Sequence, residues 1–136
     1  MFWHLAVLAV AVALGPAGRD IAARSLQASR ATTVGTLDVP YLPQTEDLCG
    51  GAAAVMVMRY WGARRIQPQD FASLVRSDGR GITTGDLTRD VETRGWRGYP
   101  QRGSLASLEH NLRHGRPVIV LIEVRPRRHH YVVVVG

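Results

Sequence analysis

The chain has 136 residues, 46% of them apolar and 21% charged, with a formal net charge of +6. These values exclude a disordered tail and fit one modest domain with a core large enough to sustain itself. All 17 basic residues are arginine; they are scattered, with no basic helix and no aromatic-interleaved stripe, so nucleic acid is not an expected partner, although the charge can attract acidic ones.

Residues 1–18 are an apolar run broken by Gly15 and Pro16. The stretch from Leu5 to Leu14 is short for a membrane-spanning helix. It is the right length for the apolar part of a signal peptide, and Gly15–Gly18 supply small residues for cleavage. A buried first helix or an uncleaved anchor is the alternative. We therefore expect an exported protein, periplasmic or extracellular, with no membrane span beyond this leader. Residues 19–36, polar and rich in Arg, Ser and Thr, read as a linker, and 37–136 as the working domain.

Leu37–Tyr41 reads as a short strand closed by Pro40 and Pro43. Thr45-Glu46-Asp47 is a turn. Gly50 to Tyr60 is apolar nearly all round, which predicts a central buried helix, stopped by Gly62. Gln67–Arg76, with Pro68 near its start, predicts a short amphipathic helix, and Ser77–Gly81 a loop. A third helix is expected from Thr83/Thr84 through Leu87 and Val91 to Gly95, with threonine as N-cap. Trp96–Tyr99 reads as a short strand. Ser104–Leu112 predicts a further amphipathic helix, ending at His114-Gly115. Pro117–Val124 is apolar on both faces, which predicts a strand central in a sheet. Arg125–Arg128 connects it to a second strand, His130–Val135, as an antiparallel hairpin. Helices first and strands after them give an α+β class.

Exported proteins usually pair their cysteines. This chain has only Cys49, so the unpaired thiol needs a reason: catalysis, or burial as an inert side chain. Cys49 stands at the mouth of the apolar helix. A free thiol has a pKa of about 8.5, and a helix N-terminus beside a histidine lowers it, which yields the nucleophilic thiolate. Gly50 and Gly51 carry no side chain, so a substrate backbone can approach closely. They weaken the helix start, a cost with little structural return.

A base must come from elsewhere in the fold. His4 lies in the leader. His110 and His114 share a helix face at metal-binding spacing, but no third ligand is evident, so they read as helix-end residues and no metal or cofactor is expected. His130 opens an apolar strand and His129 competes with it, because alternation sends neighbours to opposite faces and only one can meet Cys49. Gln44, five positions before Cys49, can donate its amide to an oxyanion together with the Cys49 N–H, or be an ordinary turn residue.

The segment Val39-Pro40-Tyr-Leu-Pro43-Gln44-x4-Cys49-Gly50-x-Ala52-Ala-x-x-Met56-x-x-Arg59-Tyr60-Trp61-Gly62 resembles the nucleophile segment of the bacteriocin-processing, double-glycine peptidase family, within the papain-like cysteine peptidases. Gly81-Ile-Thr-Thr-x-x-Leu87 to Gly95, Ser104–Leu112 and Gly115-Arg-Pro117-Val-Ile-Val resemble its middle helices and first core strand. His130-Tyr131-Val-Val-Val-Val-Gly136 resembles its histidine strand. The resemblance implies a papain-like fold over roughly 37–136 and hydrolysis of peptides or proteins, for many members after a glycine pair. It also implies Cys49 as nucleophile, His130 as general base and acid, and Gln44 as oxyanion donor. The family's third residue, an Asp or Asn, follows the histidine strand, whereas this sequence stops at Gly136. The expectation is a truncated sheet, an upstream acid in its place, or an impaired domain. The alternative function is a peptide-binding domain of the same fold that does not cut, and an acyl transferase using the same dyad is a third.

Overall fold

The computed structural model describes residues 35–136. The leader and the linker up to residue 34 lie outside the described residues. One apolar helix, α1 (Cys49–Tyr60), organises the rest. A single 3-10 turn, Glu46–Leu48, leads into it. From Cys49 through Met56, and again at Met58, its residues are buried, as an all-round apolar sequence requires. Gly62, at φ +99°, ends it, and the Trp61 and Gly62 N–H groups close back on Val57 and Arg59 carbonyls.

The expected helix at 67–76 is instead a 3-10 helix, Pro68–Leu74. Gln67 and Asp70 cap its start reciprocally, and its central Phe71 is fully buried. Next comes α2 (Thr84–Thr93), capped by Thr83, whose hydroxyl accepts the Asp86 N–H at 3.1 Å. Then comes α3 (Leu105–Arg113), capped in the same way by Ser104. Gly95 and Gly115, both at positive φ, follow the two helices, where the sequence places them.

β1 (Val118–Arg125) and β2 (Arg128–Val134) form an antiparallel hairpin. Two expected strands are absent. Leu37–Tyr41 has no strand pairing beyond the Leu37 N–H donated to the Val135 carbonyl at 2.7 Å; Pro40 and Pro43 cannot donate to a ladder. Trp96–Tyr99 is irregular, because Gly98 and Pro100 interrupt it. β1 has one partner among the described residues, not the two of a central strand. Its two-sided apolar pattern reports face burial, and one face is covered here. Ile119 with Val133 and Leu121 with Tyr131 share that face, and Ile119, Tyr131 and Val133 pack into the core around α1. Toward the turn both faces open, with Leu121 43% and Ile122 39% exposed. The described residues therefore form an α+β fold, with α1 between the 3-10 helix that carries Phe71 and the hairpin.

Candidate active site

Cys49 is the first residue of α1 and is only 6% exposed. The 3-10 turn Glu46–Leu48 runs directly into it, and the positive end of the α1 dipole falls at this residue. A cavity of ≈ 450 Å³ opens beside it. Three pieces of chain wall this space: Asp47 before the helix, the loop from Gly79 to Thr84, and the hairpin end from Arg127 to His129 with Tyr131 and Leu121.

Tyr131 joins these pieces. Its ring lies against α1 so closely that a Cβ on Gly50 would sit 3.1 Å from the ring carbons. Glycine at 50 thus lets the Tyr131 ring seat closely on the start of the helix; a methyl there would push the ring back by a few tenths of an ångström. The Tyr131 hydroxyl donates to the Ile82 carbonyl at 3.3 Å and shares a 3.0 Å hydrogen bond with the Thr84 hydroxyl. Strand, helix and loop therefore meet at one side chain. Burial pushes the Tyr131 phenol above its usual range; the Thr84 hydrogen bond opposes this and the nearby Cys49 adds to it. The folded protein then retains this proton where the unfolded chain has released it. The stability contribution is complete below pH about 10 and is lost as pH rises from there through the folded value, with a slope of at most about 1.4 kcal/mol per pH unit. Tyr131→Phe is expected to flatten that alkaline limb in urea unfolding between pH 9 and 11.5. At pH 7 it is expected to cost about 1 kcal/mol for the lost hydrogen bonds.

The histidines divide by strand alternation. His129 is on the Tyr131 side and lines the cavity; His130 is a half-buried residue of the adjoining position and does not. His129 pairs across the hairpin with Glu123, and His130 with Ile122. Gln44 is half-buried and outside the cavity wall, and its Oε1 is buried without a hydrogen-bond partner among the described residues. His110 and His114 stack at 4.4 Å between ring centroids on α3, far along the chain from Cys49. Among the described residues no group of three or more His, Cys, Asp or Glu could hold a metal ion.

Two features of the wall escaped sequence reading. One is the loop 79–84, where Gly79 and Gly81 both take positive φ; the glycine spacing was the available signal. The other is the hairpin end. Pro126 and Arg127 make a tight turn, and Arg127 is the one described non-glycine residue at positive φ, +62°. A proline first corner and a left-handed second corner are the pattern that glycine or asparagine ordinarily completes. Arginine there costs about 1–2 kcal/mol. Glu123 Oε1 holds the turn by accepting the Arg127 N–H at 2.8 Å. The register shifts beside it, between Glu123 and Arg125, a bulge of the kind that re-aims side chains.

A second cavity, of ≈ 460 Å³, lies across α1 beside Trp61, Trp96 and Tyr99. Its wall carries no cysteine, histidine or carboxylate.

The family model described as Peptidase_C39 like family matches residues 36–136. The chain belongs to that family, a papain-like group of cysteine peptidases. Searches of curated proteins and of solved structures returned no match. Within a C39-like peptidase domain the placement of the lone cysteine at a helix start beside a walled cavity has a direct chemical use. The matched span begins at residue 36 and so includes Gln44, Cys49 and both hairpin histidines.

Proposed function

We propose that this C39-like domain hydrolyses peptide bonds with Cys49 as nucleophile. The observation that carries the proposal is the buried Cys49 at the first position of α1, open to a cavity whose far wall is the histidine-bearing hairpin. The thiolate adds to the scissile carbonyl carbon. The developing oxyanion takes hydrogen bonds from the Cys49 N–H and from the Gln44 amide. An imidazolium protonates the departing amine as the C–N bond breaks, leaving a thioester. The now neutral imidazole takes a proton from water, which attacks the thioester, releases the acid and restores the thiol.

His130 is the proposed base, on its match to the family's histidine strand and on its half-buried place in the paired strand. A second reading is favoured by the cavity wall: His129 as base, oriented by Glu123 across the hairpin. Directly opposed residues stand about 4.5–5.5 Å apart at Cβ, within reach of a hydrogen bond between such side chains. Cleavage after a glycine pair is the proposed specificity, supported by the resemblance; Gly50 and Gly51 are taken up by packing against Tyr131 and Phe71, not left open to a substrate backbone as the sequence suggests. The leader-like run at 1–18 supports an exported setting.

Iodoacetamide tests the nucleophile. At pH 6.5 Cys49 is expected to react at least about ten times faster than N-acetylcysteine, because thiolate character governs the rate. Mass spectrometry of the 43–59 region locates the adduct. Reaction at or below the rate of the free thiol would favour a binding domain that does not cut.

A further inference from the structure

Three arginines, Arg80, Arg127 and Arg128, and one acid, Asp47, line the Cys49 cavity. Arg128 has an interaction of its own. Arg80 is partly compensated, because its guanidinium pairs with Asp78 at 2.8 Å. Asp78 also accepts from Arg76 at 2.7 Å, and that hydrogen bond is the largest cause holding its carboxyl well below the usual carboxylate range. The Arg76–Asp78–Arg80 set therefore keeps its charges at every working pH and carries one net positive charge.

Arg127 is the informative member. In a chain with 17 arginines and no lysine, an arginine near a cavity could be incidental. Its backbone is not. Position 127 takes φ +62° at the second corner of a proline turn, where glycine or asparagine would sit without strain. The fold accepts that strain and fixes the turn with the Glu123 carboxylate on the Arg127 N–H. Strained non-glycine backbone at a cavity rim calls for a use of the side chain. The use that guanidinium chemistry supplies is a planar fork for a carboxylate. The cavity is walled on several sides, which strengthens a charge-assisted contact made inside it.

We propose that the Cys49 cavity selects peptides bearing a carboxylate next to the bond presented to the sulfur, with Arg127 as its principal partner and Arg80 as support. This deepens the peptidase reading and rests on it for the identity of the ligand as a peptide. The carboxylate has two possible sources, an Asp or Glu side chain or a free C-terminus.

The test reads Cys49 alkylation and needs no turnover. The iodoacetate-to-iodoacetamide rate ratio, divided by that of N-acetylcysteine, is expected to be about ten or more at low salt. It should collapse toward one in 1 M NaCl, where the screening length falls to about 3 Å. Arg127→Gly removes the charge and relieves the left-handed strain, so thermal unfolding verifies that it folds. Its normalised ratio is expected to fall at least threefold. Peptides then compete with iodoacetamide for the site. Glu-containing peptides with amidated C-termini should protect Cys49 at about tenfold lower concentration than their Gln counterparts if the source is a side chain. Free-acid peptides should outdo amidated ones if the source is a C-terminus. Either preference must weaken in Arg127→Gly.

A normalised ratio near one in the wild type, or one unchanged in folded Arg127→Gly, overturns the proposal. So does equal protection by charged and neutral peptides. Failure of the peptidase reading looks different: no peptide is cut and Cys49 reacts with iodoacetamide as an ordinary thiol, whatever the charge ratio.

Discussion

Alanine at position 130 is expected to slow peptide hydrolysis by about 10³-fold or more, and alanine at 129 by less than about tenfold, as losing a base that works as a unit with its nucleophile requires. The comparison is between kcat/KM values on one peptide, with Cys49→Ala as the floor. The two side chains are adjacent, yet strand alternation makes them unequal. His130 is half-buried, and its partner across the ladder is the apolar Ile122. Such a ring is held by its surroundings and partly shielded from water. His129 is exposed, faces the cavity, and stands opposite a carboxylate. The reverse result, a large loss at 129 and a small one at 130, would assign the base to His129. In that case Glu123→Gln should also depress the rate, because Glu123 stands opposite His129 across the ladder. Glu123 also holds the Arg127 N–H, so thermal unfolding of Glu123→Gln is needed to separate a loosened turn from the lost carboxylate.

Phe71→Ala is expected to destabilise the domain by about 3–5 kcal/mol, a large share of the roughly 5–15 kcal/mol that holds a domain together. Thermal unfolding should then fall by at least about 12 °C. Phe71 is completely buried and belongs to the core cluster with Ala53, Val55 and Met58 of α1. The Arg94 guanidinium carbon lies 4.6 Å from its ring centroid, a contact that adds a cation–π term. The space for the ring exists because residue 51 is glycine. A Cβ there would stand 2.8 Å from the Phe71 Cβ and 3.0 Å from the Pro68 carbonyl oxygen. Gly51→Ala alone should therefore cost about 1–3 kcal/mol through overpacking, against a helix-propensity gain of about 1 kcal/mol. Alanine at 71 keeps the Cβ and leaves the Pro68 carbonyl in place, so the clash persists and the losses at 51 and 71 should add to within about 0.5 kcal/mol. A double variant clearly more stable than that sum would show that the 3-10 helix moves away once the ring is gone.

Much of this architecture is legible in the chain. The run from Gly50 to Tyr60 is apolar on every face, so only burial suits it, and Gly62 marks its end. Thr83 and Ser104 announce α2 and α3 because capping is local chemistry, settled within three residues. The hairpin is legible for the same reason: two apolar runs with one short connection have few other arrangements. The failures are also local in origin. Residues 67–76 carry helical patterning, but Pro68 and the reciprocal cap wind the segment tightly enough for a 3-10 helix. The apolar residues of 37–41 and 96–99 resemble strands until prolines and Gly98 are weighed as missing donors and missing side chains. In the site, Cys49 stands out because it is alone and begins a helix. The wall of its cavity does not stand out, because a rim built from Gly79–Thr84 and Arg127–Tyr131 is a tertiary fact. No periodicity within either segment encodes it.

The contact between Gly50 and the Tyr131 ring also has a temporal consequence. The sulfur and the strand that walls its cavity are made about eighty residues apart. At ribosomal speeds of about 5–20 residues per second, the thiol precedes its wall by on the order of ten seconds. During that interval the emerging polypeptide carries the thiol without the strand that walls its cavity. The space beside the sulfur takes shape only once Tyr131 has been made and settles against Gly50.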